Sequence, residues 1–144
     1  MKLDDTDKRI ISMLQENGRT ANNEIAEKLG ISEGTVRNRV RRLTDENYLH
    51  VRGLTNPNMN DDEQVVFIGA KIAVSRNLKT VAGIVAELPH VSSVSIVSGR
   101  YDLLIELLIS SHDLIDFIDA HLGKIDSLAS TESFLTLQSY KKWV

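Results

Sequence analysis

The sequence predicts an α+β protein in two parts, and three observations carry that prediction. Residues 1–50 place apolar side chains at helical spacing, residues 51–63 lose that pattern, and from residue 64 strand-like and helix-like stretches alternate. A chain of 144 residues is long enough for two small domains. The expected boundaries are therefore 1–50, a linker at 51–63, and 64–144.

Three helices are expected in the first part. Asp4 or Asp5 can cap the first, whose stripe is Ile10, Ile11 and Leu14, and Asn17-Gly18 ends it. Thr20 can cap the second, with Ile25, Ala26 and Leu29 on one face, and Gly30 supplies a left-handed C-terminus. Ser32 caps a third helix running to about Glu46, with Val36, Val40 and Leu43 at i, i+4 and i+7. So short a gap between helices two and three forces a tight turn, which is the helix-turn-helix arrangement. RGLTNPNMNDDE then has the Pro, Asn and Asp content of a linker.

In the second part VVFIGAKIAV reads as a strand, and Leu78, Val81, Ala82, Val85 and Leu88 mark a helix that Pro89 stops. VSSVSIVS is a second strand, GRYD a turn, and LLIELLI a third strand, apolar on nearly both faces. Ser110 or Ser111 opens a helix carrying Leu114, Phe117, Ile118 and Leu122, and STESFLTLQSY closes as a strand. The order βαββαβ predicts a ferredoxin-like sandwich whose helices cover one face of an antiparallel sheet. The sheet's other face then needs a partner chain, so an obligate dimer is expected.

Composition excludes several classes of function. With no cysteine there are no disulfides, thiol nucleophiles or thiolate metal sites. MKLDDTDKRI lacks the apolar core of a signal peptide, so neither secretion nor membrane spanning is expected and the cytoplasm is the default. Net charge is −3, with ten basic against nine acidic residues up to residue 53 and seven against eleven beyond it. The basic charge is nevertheless focused, because Arg37, Arg39, Arg41 and Arg42 fall within six positions. Any nucleic acid must be drawn by that patch and not by the global field.

On a helical wheel Val36, Val40 and Leu43 cluster, while Gly34, Asn38, Arg41 and Arg42 lie opposite with Thr35 and Arg37 flanking. Gly34 permits close approach, Thr35 and Asn38 can read base edges, Arg37 sits beside them, and Arg41 and Arg42 can reach the phosphate backbone. Arg39, near the apolar edge, is expected to pack or form a salt bridge. The candidate DNA contacts are Ser32 at the cap, Gly34, Thr35, Arg37, Asn38, Arg41 and Arg42. Charged outer faces are often merely solvated; the turn geometry of Ala26, Gly30 and Val36 is what favours double-stranded DNA here.

RIISMLQENGRT, EIAEKLGIS, TVRNRVRRL, SGRYDLLIEL and TESFLTL resemble, in order and over essentially the whole chain, the Lrp/AsnC or feast/famine regulators. The resemblance implies a DNA-binding transcription regulator that dimerises through its C-terminal sheets, with dimers assembling further, often to octamers. It implies too a small effector, commonly an amino acid, bound between subunits. The family's GxYD turn corresponds to Gly99, Arg100, Tyr101 and Asp102, and its TxT segment to Thr131, Glu132 and Ser133, serine replacing the usual second threonine. An amino acid needs an acceptor such as Asp102 and donors such as hydroxyls or backbone N–H groups. On the residues alone, Gly-Arg-Tyr-Asp is equally a hairpin turn with Asp102 bonding nearby amides.

Two other classes compete. His50, His90, His112 and His121 have no zinc-like spacing, and no Ser-His-Asp set, phosphate loop or GxGxxG is visible, so no enzyme, metal or cofactor is expected. Tetrapyrrole-processing decarboxylases share the two-domain plan, which leaves His112 and His121 as the opening for an enzyme. An architectural DNA-coating protein would be strongly basic, whereas this chain has a pI near 5.8.

Overall fold

The computed structural model describes residues 2–73 and 77–144; Val74, at the end of the expected first strand, lies outside them. The chain divides into two compact units, Met1–Gly53 and Leu54–Val144.

The first unit holds α1 (Asp5–Glu16), α2 (Asn22–Leu29) and α3 (Glu33–Asp45). Asp4 caps α1 in a reciprocal box: the Asp7 N–H donates to Asp4 Oδ1 at 2.8 Å, and the Asp4 N–H to Asp7 Oδ2 at 3.2 Å. Thr20 does not cap α2. Its hydroxyl donates to the Asn17 carbonyl at 2.7 Å, closing the preceding turn, and Ala21 takes the cap position without a side-chain bond. Gly30 ends α2 at φ 67°, ψ 36°, as the tight turn requires, and Ser32 Oγ accepts the Thr35 N–H at 3.1 Å to start α3. Ile10, Ile25, Val36 and Leu43 are fully buried. Each contributes about 1.5–3 kcal/mol by leaving water, and together they fix which side of α3 faces inward.

The second unit contains β1 (Gln64–Ile72), α4 (Leu78–Ala86), β2 (Val91–Ile96), β3 (Leu103–Ile109), α5 (Ser111–Ala120) and β4 (Leu128–Leu135). The sheet has the order β2-β3-β1-β4, antiparallel throughout. This is the expected α+β sandwich. Val81 and Val85 of α4 and Leu114 and Phe117 of α5 pack on Val66, Ile68, Ala70, Leu103, Ile105 and Leu107. In β3 residues 103, 105, 107 and 109 are buried while Leu104 is 39% exposed, so the apolar residues of the second face meet no helix. Phe67 and Phe134, paired across β1 and β4, share that face.

Two expectations are corrected. The last strand runs from Leu128 to Leu135 and not through Tyr140, and Leu122 lies beyond α5 in a short 3₁₀ turn, Leu122–Lys124, though still buried. The chain after β4 leaves the sheet to pair with the expected linker. Thr55 and Val144 exchange backbone hydrogen bonds at 2.7 and 3.0 Å, Asn58 and Ser139 exchange two more, and Pro57 is buried in a 3₁₀ turn. Residues 54–63 thus belong to the second unit.

Candidate nucleic-acid interface and effector site

The outward side of α3 is built by its inward one. With Val36 and Leu43 at 0% exposure, Thr35, Arg37, Asn38 and Arg41 are left exposed, as are Ser32 and Gly34 at the start of the helix. Thr35, Asn38, Arg39 and Arg42 line one shallow cavity of about 310 Å3. The structure therefore brings the expected reading residues together on one side of one helix.

Their charges are less free than the sequence implies. Arg37 bonds Glu33, one turn back on the same helix. Arg39 takes the expected salt-bridge role, with Nη1 donating to Asp4 Oδ2 at 2.6 Å and Asp7 Oδ1 at 2.7 Å. Arg42 departs from expectation: its Nη2 donates to Asp7 Oδ2 at 2.7 Å. Asp7 is 1% exposed, and four hydrogen bonds satisfy it and its cap partner, so the carboxylate tolerates burial. Asp4 is held below the usual aspartate range, first by the Asp7 N–H it accepts and then by Arg39. Arg41 makes no ion pair among the described residues.

The six candidate effector residues are divided by the sheet. Tyr101 lies flat over Gly69, donates its hydroxyl to Glu132 and meets Phe134 edge-on, with centroids 6.3 Å apart. Arg100 lies 5.5 Å from the Tyr101 ring centre and 3.6 Å from Glu132. Gly99 takes φ 130°, a conformation open to glycine, at the start of this turn. Thr131 and Ser133 pair with Ala70 and Ile68, whose side chains lie in the core under the helices. They point the other way from Glu132 between them. Asp102 works in the turn: its N–H donates to Ala70 at 2.9 Å and its Oδ2 accepts the Ile72 N–H at 2.8 Å. It also lines a cavity of about 560 Å3 with Lys71, Leu78 and Ser130.

A family described as winged helix-turn-helix DNA-binding matches residues 3–49, and the Lrp/AsnC ligand binding domain matches residues 65–143. The chain belongs to the Lrp/AsnC family. An Lrp/AsnC-like relative, an uncharacterised helix-turn-helix-type regulator of Pyrococcus furiosus, is 36% identical over 98% of this chain and 95% of its own. The leucine-responsive regulatory protein of Rhizobium meliloti is 30% identical over 98% and 93%. A transcriptional regulator of Neisseria meningitidis, solved as an L-Met complex, superimposes with TM-score 0.74 at 25% identity, covering 98% of this chain and 94% of its own.

As an Lrp/AsnC protein the chain is a DNA-binding transcriptional regulator with a ligand-binding domain, and not an enzyme. No described helix is long and apolar enough to cross a membrane. Sequence reasoning missed three participants. Asp7 was hidden among the acids of DDTD, although an acid three residues after an Asp cap is the spacing of a capping box. Glu132 and Lys71 join the turn and the cavity only through strand register, which no local pattern discloses.

Proposed function

We propose that this Lrp/AsnC regulator reads the DNA major groove with Thr35, Arg37 and Asn38, gripping the backbone with Arg41 and the free edge of Arg42, and placing Ser32 and Gly34 against the duplex. One observation carries the reading: full burial of Val36 and Leu43 turns these residues outward together. Residues early in such a helix reach bases most readily, and a guanidinium has five donors, so Arg42 keeps several after bonding Asp7.

The same reading makes the protein a cytoplasmic dimer that joins through the open sheet face, where Phe67, Leu104 and Phe134 are 37%, 39% and 45% exposed. Assembly of dimers to an octamer would bend the operator. An amino acid bound between subunits would favour one assembly over another. Asp102 facing a cavity shared with Lys71 offers a carboxylate and an ammonium to a zwitterion. Within one chain Thr131 and Ser133 lie across the sheet from Arg100 and Tyr101, so a site using all six, Gly99 included, draws on more than one subunit. The L-Met complex of the Neisseria relative supports this ligand class.

Gel-shift titration against a duplex from upstream of its own gene and one of random sequence tests the DNA reading. Asn38→Ala should narrow the gap between the two duplexes by about 1–3 kcal/mol. Arg41→Ala should weaken both and flatten the slope of log affinity against log salt by about 0.9 per subunit. Wild-type behaviour of both variants would refute it. For the effector, one or more of the twenty amino acids should raise the melting temperature, and no shift at millimolar concentration would refute that part.

A further inference from the structure

Three of the four clustered arginines of α3 are answered by carboxylates on the same unit. Glu33 answers Arg37, while Asp4 and Asp7, from the start of α1, answer Arg39 and Arg42 in a four-member cluster of zero net charge. These ion pairs cross from one helix to another, joining residues 32 and 35 positions apart to Asp7. The cluster also borders the cavity shared by Thr35 and Asn38.

We propose that Asp7, assisted by Asp4, is a specificity-determining residue: it neutralises Arg39 and Arg42 so that sequence-independent grip on phosphate stays weak and discrimination rests on Thr35 and Asn38. Non-specific affinity comes almost wholly from cations that replace condensed counterions on the duplex. A phosphate approaching Arg42 meets a guanidinium already bonded to a buried carboxylate, so the attraction is partly cancelled at close range. Base-edge hydrogen bonds from Thr35 and Asn38 carry no such penalty. The high density of arginine and the low net charge of the first unit are then two sides of one design, in which positive charge is present for shape and packing but rationed for long-range attraction.

This rests on the reading that α3 faces the duplex, and the experiment separates the two. Full-length wild type, Asp7→Asn and Asp4→Asn are titrated with a short random duplex and the upstream duplex over a series of salt concentrations. Helicity is checked first by circular dichroism. Asp7→Asn removes the shared carboxylate. Asp4→Asn is the safer variant, because asparagine caps helices as well as aspartate does. Both should bind random DNA several-fold more tightly than wild type. The salt slope should steepen by about 0.9 for each additional phosphate neutralised per subunit, up to about two phosphates in Asp7→Asn, and the ratio of upstream to random affinity should fall. A merely structural role would weaken binding to both duplexes without steepening the slope. An unchanged or shallower slope in folded Asp4→Asn overturns the proposal whatever Asp7→Asn does. If Asn38→Ala and Arg41→Ala also leave binding untouched, it is the orientation of α3 that has failed and not the charge compensation alone.

Discussion

Replacing Gly69 by alanine should be destabilising with Tyr101 present and stabilising without it. Gly69 sits within β1 at an ordinary negative φ, so alanine is allowed by the backbone and should be favoured by about 0.5–1 kcal/mol over glycine in a strand. Its Cβ, however, would lie 2.7 Å from Tyr101 Cγ and Cδ2 and 2.8 Å from Cδ1. Those atoms are at the root of the ring, and the ring's far end is tied to Glu132. The side chain therefore cannot swing aside cheaply, and overpacking of this kind costs about 1–3 kcal/mol. The clash outweighs the strand preference, leaving Gly69→Ala destabilised by about 1–2 kcal/mol. In a Tyr101→Ala background the clash vanishes and only the strand preference remains, so the sign reverses and the two sites couple by about 1–3 kcal/mol. Urea unfolding followed through Trp143, the only tryptophan and one belonging to the second unit, measures all four corners of the cycle. Equal effects of Gly69→Ala in both backgrounds would refute the packing of Tyr101 on β1.

Two further outcomes follow from the geometry. Because Asp4 is held below the ordinary aspartate value of about 3.9, its contribution is present above that pH and lost as pH falls through the depressed value. Thermal melts followed by helicity below about pH 4 should therefore show wild type losing its advantage over Asp4→Asn, and a constant difference would contradict the assignment. Phe67→Asp, set beside Glu106 and Phe134 on the open sheet face, should shift sedimentation from dimer to monomer while leaving helicity intact; an unchanged sedimentation coefficient would reject that face as the joint.

Much of the fold could be read locally, because the devices that start each element are local. Ser32 and Ser110 bond an amide three residues on, and Gly30 carries the left-handed angle that its turn requires. LLIELLI is β3 from end to end. Where reading failed, a distant partner decided. Thr20 could cap a helix by its chemistry, but the Asn17 carbonyl claims its hydroxyl. The end of β4 and the fate of residues 54–63 depend on Asn58 meeting Ser139, 81 residues away, and Thr55 meeting Val144, 89 away. No periodicity in either segment carries that information. The recognition helix was legible as an amphipathic surface, yet its electrostatic state was not, because the acids that answer Arg39 and Arg42 lie at the start of α1. Likewise Thr131 and Ser133 look like neighbours of Glu132 in sequence, and strand alternation sends them to the opposite side.

The clasp of Thr55 on Val144 makes the second unit a ring in all but covalent bonds. Joining those ends by a few residues and opening the chain at an exposed turn, such as the one at Gly99, would leave every strand pairing in place at little extra closure entropy. A permutant of that kind would present its new termini beside the GRYD turn, where a reporter could be attached without disturbing the sheet.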